Sequence, residues 1–105
     1  MMYTVQFTGK SEEDLFSILK YITNILKSPT AAKNLLHEIQ SKVKILETSP
    51  YCCQLVKDQY LSQKGIRFLV VKHYMVFYTI NEDEKTVSVL RILYGRRDWK
   101  TILEE

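Results

Sequence analysis

The chain has 105 residues, enough for a single domain over residues 1–105 built on one core. It is 46% hydrophobic and 26% charged, with three glycines and two prolines, which excludes a disordered or linker-like chain. A net charge of +3 permits an anionic partner without demanding one. No apolar run approaches the roughly 20 residues of a membrane span and no secretory leader is visible, so a cytoplasmic location is expected.

Tyr3, Val5 and Phe7 alternate with polar residues and predict a first strand, which Gly9 breaks. Ser11 is the expected cap of a helix whose first turn carries Glu12, Glu13 and Asp14, acids suited to the positive end of a helix dipole. Leu15, Ile18, Leu19, Ile22, Ile25 and Leu26 form its apolar stripe. Pro29 opens a second helix with the stripe Ala32, Leu35, Leu36, Ile39, Val43 and Leu46. So short a connector folds the two helices back as an antiparallel hairpin. Residues 51–65 read as a loop with room for a short strand or turn.

Three runs rich in β-branched and aromatic residues follow: "RFLVV", "YMVFYTI" and "TVSVLRILY". Lys72-His73 and the polar stretch from Asn81 to Lys85 separate them, which predicts a three-stranded antiparallel meander. The expected fold is α+β: a helical hairpin on one face of a four-stranded sheet, with the other face largely open. The last run is apolar on both sides and should be central. Simple alternation puts Val87, Val89, Arg91 and Leu93 on one side, and Ser88, Leu90, Ile92 and Tyr94 on the other.

Cys52 and Cys53 are adjacent, a spacing that disfavours a disulfide, and His37 and His73 lie far apart. Neither a metal nor an organic cofactor is expected, and the cysteines read as free thiols. The unusual stretch is "RILYGRRDW", where a strand ends in Gly95, Arg96, Arg97, Asp98 and the only tryptophan, Trp99. Arginine forks suit phosphate and stay charged at any cellular pH. Arg67, Arg91, Arg96 and Arg97, with Lys64 and Lys100, are the candidate phosphate-binding set, expected to converge on one hollow. The alternatives are solvated surface, or pairing of Arg67 and Arg91 with acids. Trp99 reads as a plug on the core.

The residues from "YTVQF" through "PTAAKNLL" to "GIRFLVVKHYMVFY" and "RILYGRRD" resemble the RelE/ParE family of toxins from bacterial toxin–antitoxin modules, over nearly the whole chain. The resemblance implies a β-α-α-β-β-β fold and a cognate antitoxin as partner. The leading activity it implies is metal-independent cleavage of messenger RNA at the ribosome; the alternative is inhibition of DNA gyrase by protein contact. A non-toxic binding module is a third reading. For cleavage, the resemblance makes Arg67 and Arg97 the phosphate-side arginines. It places Tyr94 as a proton donor, provided its hydroxyl falls from its usual pKa of about 10. Asp58, Tyr60 and Leu103 stand where such nucleases carry lysines and a tyrosine. The general base is therefore unassigned, and His73 is expected to lie remote from the cluster.

Overall fold

The computed structural model describes residues 2–104. Strand β1 (Thr4–Phe7) leads into helix α1 (Gly9–Asn24), which is capped by Thr8, not Ser11. The Thr8 hydroxyl accepts from Ser11 N–H at 3.2 Å, and Ser11 itself is buried. Helix α2 (Pro29–Lys44) begins at its proline as expected. After two short 3-10 turns come a short helix α3 (Gln59–Gln63), the meander β2 (Arg67–Val71), β3 (Tyr74–Asn81) and β4 (Thr86–Tyr94), and a last helix α4 (Trp99–Glu104).

The sheet order is β1-β4-β3-β2. Strand β1 pairs in parallel with β4 and the other contacts are antiparallel, which makes β4 central, as its two apolar faces predict. Helices α1 and α2 cover one face. Their Ile22, Leu35, Ile39 and Val43 pack on Leu69, Val71, Val76, Tyr78, Val87, Val89 and Ile92. Ile25 and Leu26 continue the α1 stripe in sequence, but they lie beyond the helix end and are exposed.

The second face is not open. Leu61 of α3 and Val56 and Ile66 beside it join Phe77 and Leu93, and Trp99, Ile102 and Leu103 of α4 close over them. Residues 51–65 conceal a capped helix. The Asp58 carboxylate accepts from Leu61 N–H at 3.1 Å, and Leu55 bridges to Arg67. Trp99 is the plug, its ring centroid 5.6 Å from that of Phe77.

A β-bulge shapes the rest. Phe77 faces Arg91 and Tyr78 faces Val89, so Leu90 is an extra residue on β4. Beyond it the alternation shifts by one. Ile92 joins Val87 and Val89 on the α1–α2 face, while Leu93 joins Leu90 on the α4 face. Arg91 is thereby released toward α1.

At the sheet end that holds the β3–β4 turn, the Glu82 carboxylate accepts from the hydroxyls of Tyr3 and Tyr51 and pairs with Lys85. Those contacts, Lys85 foremost, hold Glu82 down at about 2. A folded-state pKa below the ordinary 4.5 contributes stability at higher pH that is lost as pH falls. Stability should therefore decline as pH drops from 4.5 toward 2, and Glu82→Gln should remove that part of the slope. Urea midpoints measured across this range check it.

Candidate functional site

Three chain features bring the strand-end residues together. The two-residue Lys72-His73 connection turns β2 into β3, with Lys72 in the left-handed region at φ 54°. Gly95 N–H donates to the His73 carbonyl at 2.8 Å, and a Cβ on Gly95 would come within 3.3 Å of that oxygen. A side chain there would push the turn and the strand end apart. Arg97 N–H then donates to the Tyr94 carbonyl at 3.0 Å, folding the chain back.

The result is a hollow of about 700 Å³ lined by Tyr21 in the last turn of α1 and Leu26 just beyond it, by His73 and Tyr74, and by Tyr94 and Arg97. The Tyr94 ring lies 5.7 Å from Tyr74, edge-on, and 6.4 Å from His73. Tyr21 is 52% exposed, Leu26 56% and Tyr94 39%, so the lining is presented to solvent. Burial raises the Tyr74 hydroxyl above its ordinary value, and the nearby Tyr94 and Tyr21 add to the shift. Tyr74 is therefore no ready acid. Chemically, the hollow offers aromatic faces, one imidazole and one guanidinium.

Of the residues expected to converge, Tyr94 and Arg97 meet here, and His73, expected to be remote, joins them. The others do not. Arg67 pairs across β3 with Tyr78, whereas Tyr94 pairs with Tyr74, four residues along the same strand. That is about 13 Å along the strand, with two strand spacings of about 4.8 Å besides. Arg67 Nη1 donates to the Cys53 carbonyl at 2.6 Å, and its guanidinium stacks 5.0 Å from the Tyr51 ring.

Arg91 is committed to Asp14. Its Nε and Nη2 donate to the two carboxylate oxygens at 2.7 and 2.8 Å, and Ile92 N–H donates to the same carboxylate at 3.0 Å. This is the acid-paired alternative, and the acid comes from the first turns of α1. Lys64 lies over Tyr60 at 4.5 Å beside α3, and Lys100 over Trp99 at 6.0 Å on α4, both on elements that cover the other face. Arg96 is exposed in the turn after β4. His73 could have been found from sequence: a two-residue hairpin loop must sit beside the end of the strand next to its own.

The family model of the ParE toxin of the type II toxin–antitoxin system, parDE, matches residues 5–99. Among solved structures, a chain of the chromosomal ParDE system from P. aeruginosa is similar at TM-score 0.70 and 21% identity, covering 89% of this chain and 96% of that one. A chain of the RelBE2 toxin–antitoxin complex from Mycobacterium tuberculosis gives TM-score 0.63 at 19% identity, with coverage of 90% and 99%. The archaeal RelE–RelB complex from Pyrococcus horikoshii gives 0.57 at 18%, with coverage of 92% and 99%. No curated protein sequence matches. Among the described residues, no helix is long and apolar enough to cross a membrane.

Proposed function

The chain belongs to the ParE toxin family and is a type II toxin of the RelE/ParE superfamily, and on that premise we propose that it arrests growth by binding DNA gyrase. In this reading a cognate antitoxin neutralises it. The observation that carries the choice is the separation of Arg67 from Tyr94, at whose strand end Arg97 lies. Cleaving RNA through its own 2′-hydroxyl requires a base, a charge stabiliser and an acid around one phosphate. Arg67 is held on a hydrogen-bonded strand two strands away from Tyr94, so it is not placed to share one phosphate with Tyr94 and Arg97.

The hollow suits protein contact. Tyrosine and arginine are enriched among residues that dominate binding energy, above all where they line a recess a partner side chain can fill. Tyr21, Tyr94 and Arg97 have that character, with Leu26 as an apolar shoulder. The antitoxin proposal follows the toxin–antitoxin assemblies named for the similar structures.

One observation favours cleavage as a second reading: His73, an imidazole able to take a proton, shares the hollow with Arg97. Here Arg97 would grip phosphate and His73 would act as base, without Arg67. Expression in a bacterium separates the two. Gyrase binding predicts DNA damage and blocked supercoiling with transcripts intact. Cleavage predicts halted translation and messengers cut at ribosomes.

A further inference from the structure

Cys52 and Cys53 take no part in either toxin reading, yet their arrangement is specific. Both are free thiols, their Sγ atoms 3.2 Å apart. Both line a hollow of about 550 Å³ whose walls include Phe68, Leu69 and Val70 of β2 and Ile45 beyond α2. The backbone is anchored on either side: Cys52 N–H donates to the Ser49 carbonyl at 3.1 Å, and the Cys53 carbonyl accepts from Arg67. Gln54, next in the chain, accepts from Phe68 N–H at 3.2 Å. The two sulfurs therefore face one space without a change of backbone.

Sulfurs at that spacing, each about 2.3 Å from a shared ion, subtend close to a right angle at it. Zinc prefers the wider tetrahedral angle and further ligands. Among the described residues no group of three or more His, Cys, Asp or Glu could hold a metal ion. A pyramidal centre satisfied by two sulfurs and one carbon fits better. We propose that Cys52 and Cys53 form a dithiol site for trivalent organoarsenicals, with the adjoining apolar hollow receiving the aryl group. In the step, two arsenic–sulfur bonds replace the arsenic–oxygen bonding of an aryl arsine oxide. The two thiol protons leave with the oxygen as water. Arsenic stays trivalent, so no oxidant or reductant is consumed.

The probe is phenylarsine oxide on the reduced full chain, read by native mass spectrometry. One phenylarsenic per chain should survive excess glutathione, a monothiol, and be stripped by 2,3-dimercaptopropanol, a dithiol. Cys52→Ser and Cys53→Ser should each weaken retention about 100-fold or more, because the second sulfur binds intramolecularly. Val70→Asp, on the exposed edge of β2, should weaken phenylarsine binding about tenfold and leave inorganic arsenite unchanged. Wild-type protein that holds the probe no better than the single-serine variants would overturn the chelate. Equal effects of Val70→Asp on both arsenicals would overturn the role of the hollow.

Discussion

Asp14→Ala lowers the unfolding free energy by about 3 kcal/mol, the scale for removing one partner of a largely buried ion pair. The Asp14 and Arg91 side chains are 12% and 19% exposed, so water replaces the lost carboxylate only in part. The change removes both arms of the fork and leaves Ile92 N–H without its acceptor, on the edge of β4 that β1 no longer covers. A domain of this size should lose roughly 10–20 °C in Tm. Urea unfolding should show the lower midpoint at unchanged slope. A loss under about 1 kcal/mol would mean that the pair behaves as a surface salt bridge.

Arg97→Glu should abolish growth arrest while leaving stability within about 0.5 kcal/mol, as for an exposed residue outside the core. Reversing the charge at a binding hot spot should weaken gyrase binding by at least about 30-fold. His73→Gln is the companion. It keeps a polar side chain of similar reach but cannot take a proton at neutral pH. Contact with gyrase predicts toxicity close to wild type. Cleavage with His73 as base predicts a loss of about 100-fold or more. Growth curves under graded induction, with a thermal melt of each variant, read both outcomes.

Much of this architecture is legible in the chain because apolar periodicity is strong where one face of an element is buried. The α2 stripe reaches the core at Ala32, Leu35, Ile39 and Val43, and β4 is central because both its faces are apolar. Alternation fails at Leu90. One extra residue in a strand shifts every side chain after it, and nothing local in "SVLRIL" marks the bulge. The consequence falls on the site, because the shift turns Arg91 toward Asp14 instead of a ligand.

Helix α3 escapes notice because five residues are too few to show a period, and only its Asp58 cap signals it. With α4 it fills the sheet face expected to be open. Convergence of the arginines fails for a geometric reason. Arg67 opens its strand and Tyr94 closes another, but β2 and β4 both run antiparallel to β3. They are thus parallel in direction, and the start of one lies far from the end of the other. The hairpin turn at His73, not Arg67, is the element that strand direction brings to Tyr94 and Arg97.

The most direct measurement adds the purified chain to gyrase and relaxed plasmid, and in parallel to ribosomes translating a messenger. Binding through the aromatic hollow predicts that supercoiling stops and the messenger stays whole, with both reactions indifferent to the Arg97→Glu protein. Cut messenger on the ribosome, with supercoiling untouched, would contradict it.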